Sequence, residues 1–99
     1  MKVYEIKKYG VFRDTITNGT DDHQISMDGL THSYDTALMN RGSTGLIIAL
    51  RLEDRAGYDH DFELNANETI SLTDWDIVGI RVSNKSGTDN YLQILMGGE

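Results

Sequence analysis

Three histidines and a large excess of carboxylates are the residues of this sequence that could do chemistry. His60 lies between Asp59 and Asp61, and an imidazole with neighbouring carboxylates could bind a divalent metal ion. On a β-strand, however, the two aspartates would point to one face and His60 to the other. A metal site there needs a loop and ligands from a second segment, and His23 and His32 lie elsewhere in the chain. We therefore predict a polar, exposed start of a strand at this triplet.

Residues 14–22 have the acidic character of a calcium-binding loop. An EF-hand loop needs an oxygen ligand at its third position and a glutamate at its twelfth, and these positions hold Ile16 and Ile25. The EF-hand motif therefore fails. A looser calcium site on Asp21, Asp22 and backbone carbonyls stays open, with a solvated hairpin loop as the alternative.

No combination of residues in the sequence indicates catalysis. None of the serines lies in a Gly-x-Ser-x-Gly elbow, and Gly42-Ser43-Thr44-Gly45 lacks the lysine and the helix of a P-loop. The chain has no cysteine, which excludes a thiol nucleophile, a thiolate metal site and a disulfide. Pairs of acids arise by chance among 16 carboxylates. The sequence therefore predicts a protein that is not an enzyme, with no catalytic residue, cofactor or metal.

Aromatic side chains are the best candidates for a binding surface. Trp75, the only tryptophan, lies in the polar corner Thr73-Asp74-Trp75-Asp76 between two predicted strands. Such a ring can stack on a sugar, anchor an interface or cover the open end of a β-sandwich. A carbohydrate- or receptor-binding platform would include Trp75, Tyr58 and Tyr91.

The elements that must position these residues are short strands. Alternating apolar residues at 62–64, 70–72 and 78–82, and a turn at 84–90 before the strand 91–96, indicate an antiparallel sheet. The clearest core strand has an apolar face made by Leu46, Ile48, Leu50 and Leu52. Its other face begins with Ile47 and Ala49, so we expect the start of this strand to be covered on both faces.

The first forty residues give weaker signals for extended structure. A strand over residues 3–12 slips in its alternation near Gly10, which predicts a bulge or bend. Asn18-Gly19 predicts a turn, residues 24–27 a short strand, and residues 30–39 a strand or irregular backbone. No segment has the apolar stripe of a helix. We predict a single all-β domain over residues 1–99, an antiparallel β-sandwich or jelly roll of seven or eight short strands.

The composition of the chain limits the classes of molecule that it is expected to bind. Sixteen acidic and nine basic residues give a net charge of −7, which disfavours nucleic acid and anionic membrane as partners. No signal peptide opens the chain, and the longest apolar run, residues 46–50, is too short to span a bilayer, so synthesis in the cytoplasm is expected. The chain has no proline, so other devices must protect the sheet edges: charge, bulges or a neighbouring subunit.

Three short motifs lie in residues 40–98: Asn40-Arg41-Gly42-Ser43 before a core strand, Glu68-Thr69 opening the next strand, and Ser86-Gly87-Thr88 at the tip of the last hairpin. With these motifs the segment resembles the small virion domains of tailed bacteriophages. The resemblance implies a β-sandwich that decorates or cements a capsid, or that forms part of a collar, tail or fibre. It assigns no role to individual residues.

The sequence thus leads to a non-enzymatic virion structural protein, either a capsid decoration or cement protein or a head–tail component. We expect a homo-oligomer that binds capsid or other virion proteins by symmetric contacts and is located in the virion after synthesis in the host cytoplasm. Residues 1–12 form a possible interfacial arm, and an ordinary first strand is the alternative. The candidate interface residues are Lys2, Tyr4, Ile6, Lys7, Lys8, Tyr9 and Phe12. The alternative functions are a carbohydrate- or receptor-binding module and a cellular assembly protein.

Overall fold

The computed structural model describes residues 4–58 and 60–99, with the backbone alone at His60, and these residues form an all-β fold. The seven strands are β1 (Lys8–Ile16), β2 (His23–Gln24), β3 (Ser33–Asn40), β4 (Leu46–Leu52), β5 (His60–Leu64), β6 (Thr69–Ser83) and β7 (Asn90–Gly98). The predicted fold class is confirmed, and the ambiguous segment at residues 30–39 is mostly strand. Within the described chain no helix is long and apolar enough to cross a membrane.

All strands pair antiparallel in one sheet, in the order β1-β7-β3-β6-β4-β5, with β2 also on β6. The fifteen-residue β6 pairs with β3 mainly through residues 69–73 and with β4 through residues 77–83. It therefore belongs to two layers. We call β1, β7, β3 and the start of β6 the front layer, and the end of β6 with β4, β5 and β2 the back layer.

The two layers cover each other. Fully buried residues come from β3, β4, β5, β6 and β7 and form a single core. Since the described chain has no helix to cover the sheet, the sheet must fold back on itself. A hydrogen bond confirms this closure, because Asn40 Nδ2 on β3 donates to the carbonyl of Leu64 on β5 at 3.0 Å, across two intervening strands in the sheet order.

The sheet bends in the middle of β6. Asp74 has a left-handed φ of 62°, and the register against β3 shifts between Ser33 and Asp35. A second shift against β4 lies between Arg51 and Leu52. The sequence predicted an interruption at residues 74–76. The structure has a bend within one continuous strand, because aspartate tolerates the left-handed conformation and a bulge bends a strand without ending it.

The side-chain alternation of β4 agrees with the sequence on one face only. Leu46, Ile48 and Leu50 have no exposed surface. On the other face Ala49 is buried but Ile47 is 42% exposed, so the predicted cover over this face is confirmed at Ala49 and wrong at Ile47.

The predicted bulge at Gly10 is also wrong, since the β1–β7 register runs without a shift from Lys8 to Ile16. Glycine lets a second segment approach closely at this position. A Cβ there would lie 2.7 Å from Leu30 Cδ1, in the loop that packs over β1. The slip in alternation therefore marks a close contact between segments.

Carboxylates protect the β1 edge of this proline-free sheet. The backbone N–H of Val11 donates to Asp28 Oδ2 at 3.0 Å, and the N–H of Thr15 donates to Asp14 Oδ1 at 2.8 Å. These residues have the same parity, so both N–H groups point away from β7. Each carboxylate occupies a donor that an added strand would need. The opposite edge, β5, carries Asp61 and Glu63.

Two buried asparagines hold the loops at the ends of the strands. Asn40 Nδ2 also donates to the carbonyl of Thr44 at 2.7 Å, and its Oδ1 accepts from the N–H of Gly42 at 2.8 Å. Asn84 Nδ2 donates to the carbonyls of Ile16 and Thr88 at 2.8 and 2.9 Å. Each side chain therefore satisfies backbone groups that would otherwise be buried without partners.

We predict that Asn40→Ala lowers the free energy of unfolding by roughly 2–4 kcal/mol, because it leaves three backbone groups without a hydrogen-bond partner. Asn65→Ala is the matched control: among the described residues, the side chain of this exposed asparagine bonds to Glu68 alone, so the loss should stay below about 1 kcal/mol. The urea midpoints of the two variants measure the difference. Equal midpoints would contradict the structural role of Asn40.

Candidate functional site

A cleft of about 530 Å³ opens beside the bend in β6, and we call it the bend cleft. Its walls combine aromatic and acidic side chains with the end of β4. They are Tyr4, Leu52, Glu53, Asp54, Asp74, Trp75 and Asp76. The N–H of Glu53 donates to the carbonyl of Asp76 at 3.0 Å, so the turn after β4 is fixed to the bend. The left-handed backbone at Asp74 thus helps to form the cleft.

His32 lies at the edge of this cleft with two carboxylates. Its Nδ1 is 2.7 Å from Asp76 Oδ1 and 3.9 Å from Glu53 Oε2. The side chains of His32 and Asp76 are 27% and 11% exposed, whereas that of Glu53 is 55% exposed. The short contact is therefore shielded from solvent, and the longer one is open to it.

A stack of three rings fixes the position of His32. The Tyr34 ring lies between the His32 and Tyr4 rings, with centroid distances of 5.8 and 4.4 Å. The Tyr34 hydroxyl donates to Glu99 Oε1 at 2.8 Å, and Lys7 Nζ lies 3.3 Å from the other Glu99 oxygen. Burial raises the pKa of Tyr34 to about 12, and Glu99 adds to this shift. The hydrogen bond from Tyr34, followed by that from Lys7, lowers the pKa of Glu99.

The backbone at the carboxyl end holds the same region. The N–H groups of Thr31 and His32 donate to the carbonyl of Glu99 at 2.8 and 2.9 Å, and the Glu99 N–H donates back to His32. The Lys7 N–H donates to the carbonyl of Gly98 at 2.8 Å. A Cβ at Gly98 would meet the carbonyl of His32, so only glycine permits this approach.

This arrangement offers polar groups that could bind a ligand. A histidine with a carboxylate could also act as a general base, although the neighbouring hydroxyl, Ser33 Oγ, contacts Thr36 Oγ1 in the core at 2.7 Å. Exposed carboxylates beside aromatic rings can instead accept hydrogen bonds from a ligand and stack against it.

The three residues of the predicted binding platform lie on different surfaces. Trp75 is 37% exposed in the bend cleft. The Tyr58 hydroxyl donates to Gln24 at 2.9 Å, and the Arg81 guanidinium lies 3.9 Å from the centre of its ring. Tyr91 lies on β7, is 40% exposed and is paired in register with Thr15. The structure does not bring the three rings together.

Most residues of the predicted arm contact the protein itself. Tyr4 stacks on Tyr34, and Ile6 and Tyr9 lie against Gly97. Lys7 pairs with Glu99, Lys8 Nζ donates to the carbonyl of Gly29 at 3.2 Å, and Phe12 packs against the core. Tyr9 is nevertheless 80% exposed. Lys2 lies outside the described residues.

The outer face of the front layer carries the exposed apolar residues of that layer. Val11, Leu95 and Ala37 are register neighbours across β1, β7 and β3. Val11 and Leu95 are 40% and 42% exposed, with Tyr9 and Tyr91 on the same face. Between them, Gly97 and Ala37 line a shallow groove of about 370 Å³. We call this surface the outer face.

The sequence raised two metal sites, one at the triplet Asp59-His60-Asp61 and one in the loop with Asp21 and Asp22. Asp59 and the side chain of His60 lie outside the described residues, so their triplet is not placed. In the loop where a calcium site was left open beside the alternative of a solvated hairpin, Asp21 Oδ1 lies 3.3 Å from Lys85 Nζ, and the Asp22 N–H donates to Ser83 Oγ at 2.9 Å.

Sequence reasoning missed the group His32, Glu53 and Asp76, because its members are 21 and 23 residues apart and only the folded chain joins them. No local motif signals it.

No protein-family model matches the chain, and no curated protein matches it either. Function must therefore be argued from the surfaces themselves.

We predict that stability falls as pH rises from about 10 to 12. Deprotonation of Tyr34 begins near its ordinary pKa of 10.0 in the unfolded chain, whereas the folded protein retains the proton to about 12. The stabilisation is thus complete below pH 10 and is lost as pH rises through the folded pKa. Tyr34→Phe should remove this component, and the difference between the two absorbance titrations should show one tyrosine with a midpoint near 12. A difference midpoint near 10 would contradict the buried hydrogen bond.

Proposed function

We propose that this protein is a non-enzymatic structural protein that associates with further copies of itself through the outer face. The observation that supports the proposal is the run of exposed apolar residues across three hydrogen-bonded strands. Tyr9, at 80% exposure, is the most exposed large apolar residue among those described. Contiguous exposed apolar surface is typical of protein–protein contacts.

The charge on this face favours a second copy as its partner. The chain carries a net charge of −7, so two copies repel each other over most of their surfaces. The central row of the outer face, formed by Val11, Leu95, Ala37 and Ser71, has no charged side chain. Arg13 and Asp35 lie on the flanking rows with opposite charges. Contact at this face therefore avoids most of the repulsion.

The size of the face is sufficient for a contact between two copies. Strands of about nine residues, four abreast, span a projected area on the order of 500 Å². The accessible surface of such a face exceeds its projected area, and a stable pairwise interface buries about 800 Å² of accessible surface on each partner. Many copies arranged by symmetry would add such contacts.

A virion role follows from the sequence resemblance at residues 40–98 together with the β-sandwich fold. In this role the protein decorates or cements a capsid, or forms part of the head–tail region. The amino-terminal arm contributes Tyr9 to the outer face. The partners are capsid or other virion proteins.

Leu95→Glu tests the assembly surface. We expect at least a tenfold weaker self-association, because the contact would bury a charge without a partner. Ile47→Glu is the matched control, since Ile47 is also 42% exposed in mid-strand but lies on the back layer. Light scattering over a wide range of protein concentrations measures both. A wild-type protein that stays monomeric throughout, or equal effects of the two variants, would contradict the proposal.

The virion assignment has a separate test. Particles purified by density gradient from the cells that express the gene should contain the protein at a fixed ratio to the major capsid subunit, as measured by mass spectrometry. Self-associating protein absent from such particles would leave the assembly proposal intact and reject the virion role. A cellular assembly protein would then be the alternative.

The bend cleft favours carbohydrate binding as a second candidate function. Trp75 offers a ring for stacking, and Glu53, Asp54 and Asp74 offer acceptors for sugar hydroxyls. Trp75→Ala should abolish retention on a glycan array, whereas Tyr91→Ala should not. An array without any bound glycan would reject this function.

A further inference from the structure

We propose that His32, Glu53 and Asp76 form a binding site for a divalent transition-metal ion. The three side chains come from the loop before β3, the turn after β4 and the bend in β6. Each offers one ligand atom, and these atoms lie within 4.8 Å of one another. One imidazole with two carboxylates is a ligand set that zinc and its neighbours in the first transition row accept. The site is independent of the outer face.

The distances are close to those that a bound ion requires. Zinc lies about 2.0–2.2 Å from nitrogen and oxygen ligands, so two ligand atoms can be at most about 4.2 Å apart. The His32–Glu53 distance of 3.9 Å is within this limit. The His32–Asp76 distance of 2.7 Å is that of a hydrogen bond and must lengthen to about 3.3 Å on tetrahedral zinc. The side chain of Glu53 is 55% exposed on a turn, so it can close the remaining distance to Asp76.

Backbone hydrogen bonds hold the three ligands before any ion arrives. Glu53 and Asp76 are joined by an N–H to carbonyl bond of 3.0 Å, and His32 is paired in both directions with Glu99. Stacking on Tyr34 fixes the plane of the imidazole. The backbone of the three ligand residues is therefore fixed before an ion binds, and the ordering cost falls mainly on the exposed Glu53 side chain.

The bend cleft supplies access and free coordination positions. Glu53 and Asp76 line both the cleft and the proposed site, so an ion could enter from solvent and keep water as further ligands. Asp54 and Asp74 add negative charge to the same cleft, which attracts a cation.

Binding has a defined proton balance. A hydrogen bond of 2.7 Å between His32 Nδ1 and Asp76 Oδ1 needs a proton between them. A metal ion on both atoms replaces that proton, which is released to solvent. The imidazole nitrogen in the ligand set favours Zn²⁺ or Co²⁺ over Ca²⁺, which prefers oxygen ligands.

Calorimetric titration of the untagged full-length protein with Zn²⁺ tests the site, and the absorption of bound Co²⁺ reports its ligands. We expect one equivalent of Zn²⁺ to bind, and at least tenfold weaker binding in both His32→Gln and Glu53→Gln. Glu53→Gln is the more informative variant, because it removes an exposed ligand and leaves the His32–Asp76 contact in place. His23→Gln and His60→Gln are the matched controls and should bind as the wild type does.

Three results would overturn the proposal. The first is no saturable binding of Zn²⁺ or Co²⁺ by the wild type, in which case the three residues form only an ion-pair network. The second is wild-type affinity in both His32→Gln and Glu53→Gln. The third is loss of binding in His60→Gln or His23→Gln in place of His32→Gln, which would assign the metal to another histidine.

Discussion

The bend in β6 is the constraint on which the rest of the structure depends. One strand pairs with β3 along its first part and with β4 along its last part, so the sheet can close only if this strand changes direction. Asp74 makes that change with a left-handed backbone, at a cost of order 1 kcal/mol for a non-glycine residue. The buried core that the two layers enclose offsets this cost many times over. The same bend directs Trp75 and Asp76 into the cleft, so a left-handed residue and a polar concave surface coincide.

The carboxyl-terminal strand supports the bend from the other side. β7 pairs with both β1 and β3, and Glu99 continues past the strand to bond with the backbone of His32. The Glu99 side chain also joins Lys7 to Tyr34. The first and last described segments are thus joined beside the cleft. In this acidic protein, Lys7 therefore neutralises the Glu99 carboxylate of the last described segment.

The sequence predicted what depends on local pattern and missed what depends on distant contacts. Alternation identified the strands and the inward face of β4, since a period of two is fixed by strand geometry. Gly10 could not be understood from its neighbours, because the residue that requires it is Leu30. Asp74 correctly indicated a change of chain direction. The sequence could not distinguish a turn between two strands from a bend within one strand, because turns and bulges use the same residue types. The group His32, Glu53 and Asp76 had no signal, since its members share no motif and meet only across three segments.

Contiguity, rather than exposure, distinguishes the outer face from the other exposed apolar surface of the described chain. Ile47 and Leu95 are equally exposed at 42%, and a single exposed aliphatic residue is ordinary on a protein surface. Ile47 is paired in register with Glu63 on one side and Ser83 on the other, so its apolar surface is isolated by polar neighbours. Leu95 is paired with Val11 and Ala37, and side chains in such pairs lie about 5 Å apart. Their surfaces therefore merge into one patch from which water can be excluded as a unit, which an isolated side chain cannot achieve.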